Sequence, residues 1–352
     1  MKSRNLLILL LVMSLVLVGG LSGCSQPSDE GEESAQGEDT DKVYTMKLAN
    51  ITTEDNPLNV GYRYLAEQLE EKTNGRIILN IYPNGQMSGS DREQAEMVQN
   101  NIIQITSSPS YTVAGLNDEL KEFNIYDFPY LFKSDKEIHN FSDGEIGSKM
   151  NEKLLNKTGI RAYGAFPIGW VKVSTNKEPI ESPENLAGLN IRSTASVFYQ
   201  ETLRAWGANP TPIAYGEAFT ALQQGTVDGM MTVSSLYVSD RFYEVQKYMA
   251  AVDPFGIIHY PIVNNEWYQS LPENLQNTFD ECMYEYVSFM RELETEAEAE
   301  SLDILREKGM VVNEYNEEQM KAFAEPVTSI WQENAHLVGG EDFLNSVIDD
   351  LE

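Results

Sequence analysis

Residues 188–231 read GLNIRSTASVFYQETLRAWGANPTPIAYGEAFTALQQGTVDGMM. Gly188 to Arg192 is a short β-type run. Tyr199, Leu203 and Trp206 then fall at spacings of four and three, one face of a helix that Gly207 closes. Tyr215, Phe219 and Leu222 repeat the pattern up to Gly225, and Thr226 to Met231 returns as a strand. The stretch therefore predicts an α/β unit, with Arg192 at the carboxyl end of its first strand. Ligands of open α/β sheets bind at that edge. A guanidinium there offers a planar fork of donors that matches a carboxylate in two parallel hydrogen bonds. The competing reading is an ion pair with one of the many acidic residues.

The alternation continues on both sides. Upstream, Val43 to Asn50 reads as a strand, and Asn56-Pro57 as a helix cap followed by a first-turn proline. Leu58, Tyr62, Leu65 and Leu69 form one helix face, Arg76 to Tyr82 a strand, Asp91 to Val98 a helix and Ile102 to Thr106 a strand. This order predicts a mostly parallel sheet with helices on its faces. Ile160 to Ala165 and Trp170 to Ser174 look extended. Downstream, Leu275, Phe279, Met283, Tyr286, Met290, Leu293 and Ala297 predict one unusually long helix.

The chain has 352 residues, 25 Lys+Arg against 55 Asp+Glu, and a net charge of −30. That length suits two domains. The acidity argues against nucleic acid as a partner, which needs a basic footprint. Lys2 and Arg4 precede an apolar run, Leu6 to Val18, that matches a signal peptide and is short for a membrane span. Leu21-Ser22-Gly23-Cys24 then resembles a lipobox, so residues 1–23 are expected to be cleaved and Cys24 lipidated. Residues 24–42 carry seven acids and no large apolar side chain, the composition of a flexible tether. Cys282 is then left without a partner, and no internal disulfide is expected. There is no GxSxG, phosphate loop or HExxH motif, and three dispersed histidines suggest no metal site. Nothing calls for a cofactor.

Four segments in order, Ser182-Pro183-Glu184-Asn185-Leu186, Gly188-Leu189-Asn190-Ile191-Arg192, Gly207-Ala208-Asn209-Pro210-Thr211-Pro212 and Glu217-Ala218-Phe219 through Val227-Asp228-Gly229, resemble the substrate-binding proteins of tripartite ATP-independent periplasmic (TRAP) transporters, the DctP-type family. Tyr82-Pro83-Asn84-Gly85-Gln86-Met87, Asp127-Phe128-Pro129-Tyr130-Leu131-Phe132 and Phe242-Tyr243-Glu244-Val245 resemble it too. The resemblance implies a two-lobed type II periplasmic-binding-protein fold with a long helix spanning both lobes. Lobe I would hold 43–168 plus 257–296, and lobe II 169–256 plus 297–352. It implies an extracytoplasmic receptor without turnover. Such a receptor captures an organic acid between the lobes and delivers it to TRAP membrane subunits. Handing the bound form to a membrane sensor kinase is the alternative.

By the same resemblance, Arg192 grips the ligand carboxylate and Tyr215 walls the pocket. Thr232 stands where the family often has asparagine. Asn50 contributes from the first strand, and Ser107 and Ser108 line the first lobe. Asp91 either faces the cleft or is a helix N-terminal acid favoured by the dipole. The family's second arginine is replaced by Val171, with Trp170 as a wall instead and Lys172 pointing to the opposite face. One guanidinium favours a monocarboxylate over a dicarboxylate, and a monomer is expected.

Overall fold

A computed structural model describes residues 42–351. The signal peptide, Cys24 and nearly all of the tether lie outside the described residues. The described residues form eleven strands: β1 (Tyr44–Ala49), β2 (Ile77–Tyr82), β3 (Ile105–Pro109), β4 (Ile160–Ala162), β5 (Phe166–Thr175), β6 (Asn190–Ser193), β7 (Asn209–Pro212), β8 (Gly229–Val233), β9 (Tyr248–Ala250), β10 (Gly256–Asn264) and β11 (Val311–Asn313). The main path runs β2-β1-β3-β10-β5-β8-β6-β7. At one end β1 pairs parallel with β2 and β3, and at the other β6 pairs parallel with β7 and β8.

The expected mostly parallel sheet is corrected in the middle. Strand β10 runs antiparallel to β3, β4 and β5, and β5 runs antiparallel to β8 and β9. Two parallel sets are thus joined by two antiparallel strands that pass between them. Strand β5 makes the crossing: Phe166, Pro167 and Trp170 pair with β10, and Val171 to Thr175 pair with β8. Gly169 sits at the changeover with φ +128°, a conformation side chains strongly resist. A Cβ there would also lie 2.6 Å from Glu298 Oε2.

The expected long helix is present as Glu273–Glu307, 35 residues, so about 52 Å at 1.5 Å per residue. Its buried face begins with Leu275, Phe279, Met283, Tyr286 and Met290, and continues to Ser301 and Leu305. It packs against the helix Pro57–Lys72 and β5, then against the helix Ser234–Ser239 and β11, spanning both strand sets. One large apolar core fills the body. A second, smaller cluster around Leu222, Met230, Tyr237, Phe242 and Met249 lies under the second set. Among the described residues no helix is long and apolar enough to cross a membrane. Cys282 is a buried free thiol, its pKa raised to about 11 chiefly by burial.

Several boundaries moved. The strand expected at Ile102 begins at Ile105, because Ile102 lies exposed in the turn after the helix Asp91–Gln99. The strand expected from Thr226 begins at Gly229, after the turn that ends the preceding helix.

Candidate functional site

The carboxyl ends of both parallel sets converge on one crevice. Asn50 follows β1, Pro109 ends β3, Arg192 lies near the end of β6 with Thr194 just beyond it, and Thr232 lies near the end of β8. The two crossing strands supply Ile168, Ile257 and His259, and Tyr215 comes from the loop-to-helix turn after β7. Asp91, Tyr111, Arg192, Thr194 and Tyr215 also line its continuation toward the surface.

Arg192 is held in place from behind. Only 3% of it is exposed, and its Nε donates to the Ile213 carbonyl at 3.0 Å. Its Cζ lies 5.7 Å from the centre of the Tyr215 ring. No described residue accepts from its two terminal nitrogens. Burial pulls its pKa down, opposed by Tyr111, Tyr215 and Asp91. A buried guanidinium with its fork open toward a crevice can take a carboxylate in two parallel bonds.

Tyr215 is positioned by Asp240, to which its hydroxyl donates. Asp240 Oδ1 also accepts from Thr53 Oγ1 at 2.9 Å, and the neighbouring Ser239 Oγ accepts from Asn56 Nδ2 at 2.9 Å. These bonds tie the loop after β1 to the helix Ser234–Ser239 across the mouth. The backbone closes there as well: a Cβ on Gly216 would stand 3.2 Å from the Gly89 carbonyl.

Three further polar groups complete the wall. Asp91 is the first residue of the helix Asp91–Gln99, capped by Ser90. Burial pushes its pKa up to about 6, with Arg192 opposing. His259 is 5% exposed, and burial holds its pKa down to about 3, so it is neutral. Its Nδ1 has no partner among the described residues. Asn50 is committed to Thr52: its amide donates to Thr52 Oγ1 at 3.0 Å and accepts from the Thr52 N–H at 3.2 Å.

Five residues singled out from the sequence therefore meet in one crevice: Arg192, Tyr215, Thr232, Asn50 and Asp91. Three do not line it. Ser107 and Ser108 are buried within β3, two residues and one residue short of Pro109. Trp170 donates from Nε1 to Asp135 Oδ1 at 2.8 Å, fixing β5 to the helix Asp135–Asp143. Lys172 also lies outside the lining, paired with Asp253 and, at 2.8 Å, with Glu298. Sequence reading missed Tyr111, Thr194 and His259. Thr194 could have been found two residues beyond Arg192, but a single histidine in an apolar run carries no such signal. Among the described residues no group of three or more His, Cys, Asp or Glu could hold a metal ion.

Residues 48–336 match the family described as bacterial extracellular solute-binding protein, family 7 (DctP). The chain belongs to that family. Its members are binding receptors, extracytoplasmic by that description. The chain is 29% identical to the C4-dicarboxylate-binding periplasmic protein DctP of Rhodobacter capsulatus, over 84% of this chain and 88% of that protein. The crystal structure of the sugar acid binding protein DctPAm from Advenella mimigardefordensis, in complex with galactonate, superposes with a TM-score of 0.83. It covers 88% of this chain and 98% of its own, at 22% identity. A TRAP periplasmic solute binding protein from Shewanella oneidensis with bound succinate gives 0.81, at 20% identity, over 88% of this chain and 100% of its own. The likeness confirms the α/β binding-protein fold with its long helix.

Proposed function

We propose that this family 7 protein captures an organic acid by pairing the acid's carboxylate with Arg192. It closes over the acid and hands it unchanged to the membrane subunits of a TRAP transporter. One observation carries the reading: a buried arginine with an open fork, at the carboxyl edge of one strand set and facing the edge of the other. Burying a charge is costly unless it is paired, so the site is built for an anion. The ligands named for the relatives, C4-dicarboxylates, galactonate and succinate, all carry a carboxylate. Those names speak for transport and give no support to a sensor-kinase role.

The two sides are proposed to move as lobes, 43–168 plus 257–296 against 169–256 plus 297–352, with β5 and β10 as the connecting strands. A single arginine in the inner crevice favours a monocarboxylate. We further propose that the protein acts as a monomer at the outer face of the membrane, held there by lipid on Cys24.

Thermal unfolding in the presence of a panel of organic acids tests the reading. A ligand at a hundred times its Kd adds about 2.7 kcal/mol to the native state, so the melting temperature should rise. Arg192→Ala should remove that rise and leave the ligand-free protein folded. A variant that is stabilised as much as the original chain refutes Arg192 as the anchor.

A further inference from the structure

We infer that closing the crevice takes up a proton at Asp127: this buried carboxyl on one side accepts from Ser196 on the other, so acid capture tightens as the medium becomes more acidic. This rests on the function proposed above, since it needs two lobes that close over an acid.

Asp127 ends the short helix Lys121–Asp127, which packs on the helix Ser110–Ala114 and on β10, beside the first strand set. Ser196 follows β6 of the second set and immediately precedes the helix Val197–Ala205. Its hydroxyl donates to Asp127 Oδ2 at 2.6 Å. Two aromatic contacts cross between the sides at the same place. Phe128 meets Phe198 edge to face with ring centres 4.7 Å apart, and Tyr111 meets Tyr199 at 6.1 Å. Behind these rings Asp127 and Ser196 are both buried. A groove lined by Tyr111, Asn124, Ser196 and Phe198 runs outside them, so parting of the two sides opens the carboxyl to solvent.

A carboxylate in such a place is costly unless its oxygens are well supplied with donors. Among the described residues only Ser196 Oγ donates to Asp127, and no cation pairs with it. Tyr111 and Tyr199, which face it from two helices, are neutral phenols. On β10, Tyr260 is bonded to Tyr126, and His259 is held neutral by burial. On its own helix Glu122 pairs with Lys153 and Lys121 is exposed, as is His336 on the adjoining turn Ala335–Leu337. With the sides together, burial therefore holds the Asp127 pKa up at about 7. With the sides apart it returns toward the ordinary value of about 3.9. Asp240 at the mouth also rises on burial, but Tyr215 and Thr53 both donate to it and oppose the rise. Closure thus binds a proton at Asp127 between about pH 4 and 7. It is favoured as pH falls through 7, and the gain levels off below about pH 4.

Isothermal titration of the purified protein with monocarboxylates, galactonate, lactate and pyruvate among them, tests the inference in two buffers of different ionisation enthalpy. For an acid that binds, affinity should be about tenfold higher at pH 6 than at pH 8, with about one proton taken up per ligand at pH 6. Asp127→Asn keeps an acceptor for Ser196 and cannot titrate. It should lower the uptake by about half a proton or more, whatever Asp91 and Asp240 contribute in both proteins. Ser196→Ala removes the donor that the ionised carboxyl needs, so its cost in affinity should be larger at pH 8 than at pH 6. Equal uptake in a folded Asp127→Asn variant overturns the inference, as does a Ser196→Ala cost that is the same at both pH values. Should Asp127→Asn fail to fold, the Ser196→Ala comparison decides alone. An acid that binds without proton uptake refutes the role of Asp127 and leaves capture standing. If no acid binds, the proposed function falls and the inference with it.

Discussion

The guanidinium of Arg192 lies over the ring of Tyr215, 5.7 Å from its centre, and the hydroxyl of that ring is fixed by Asp240. Asp240 in turn accepts from Thr53 on the opposite side of the mouth. The proposed ligand anchor and the contact across the mouth therefore share one chain of interactions. Tyr215→Phe keeps the ring and loses the hydroxyl, and should weaken acid binding by about 1 kcal/mol, roughly fivefold. Asp240→Ala should weaken it at least as much and also speed amide exchange around Thr53. Calorimetry with exchange mass spectrometry checks both.

Arg192→Lys preserves the charge and loses the fork. An ammonium binds a carboxylate as a point charge, without the paired geometry. Affinity should fall about tenfold to a hundredfold, in line with roughly 1.5–3 kcal/mol for a charge-assisted bond. Equal affinity for the lysine variant would mean that two-point recognition plays no part.

The buried ammonium of Lys172 ties β5 to the long helix through Glu298 and to the loop before β10 through Asp253. Burial lowers its pKa, but the two carboxylates outweigh that and hold it raised. Lys172→Met leaves Glu298 unpaired beside the buried Glu294 on the same helix. The loss should be about 3 kcal/mol, the low end for a broken buried pair, because Asp253 is 44% exposed and can rehydrate. Adding Glu298→Gln should restore part of it. Urea denaturation measures both steps.

Asp127 is 1% exposed and accepts from Ser196 Oγ at 2.6 Å. Burial pushes its pKa up to about 7, and the Ser196 hydroxyl only partly opposes this. Tyr111 and Tyr199 lie near enough to interact with it electrostatically. An unfolded aspartate titrates near about 3.9, so between about pH 4 and 7 the native state holds a proton that the unfolded chain has released. This contribution to stability is full below about pH 4 and is lost as pH rises through 7. Asp127→Asn should remove that part of the slope. Urea midpoints at pH 5 and pH 8, compared between the two proteins, give the answer.

Local pattern was enough for the periodic elements. Tyr199, Leu203 and Trp206 lie in or just beyond the helix Val197–Ala205, and Leu275 to Ala297 lie within the 35-residue helix, because one apolar face at helical spacing has few alternative folds. Arg192 at a strand end, with Tyr215, Thr232, Asn50 and Asp91, could be named from the chain and its family resemblance.

What escaped was non-local. Strand β10 is buried at all nine positions and contains Pro261, so it shows neither alternation nor a clean strand signature. With it were lost the antiparallel centre of the sheet and His259 in the crevice wall. Trp170 read as a pocket wall along the chain, and Lys172 as facing away, which the structure bears out without the sequence having shown its partners. Their partners, Asp135 for one and Asp253 and Glu298 for the other, come from elements distant in sequence. The amino-acid order by itself determined most of the helices and strands and put an arginine at a strand end, because periodicity and residue chemistry act over short range. Which polar groups stand unpaired around that charge was decided only by the tertiary structure, because pairing depends on what distant strands bring within hydrogen-bond reach.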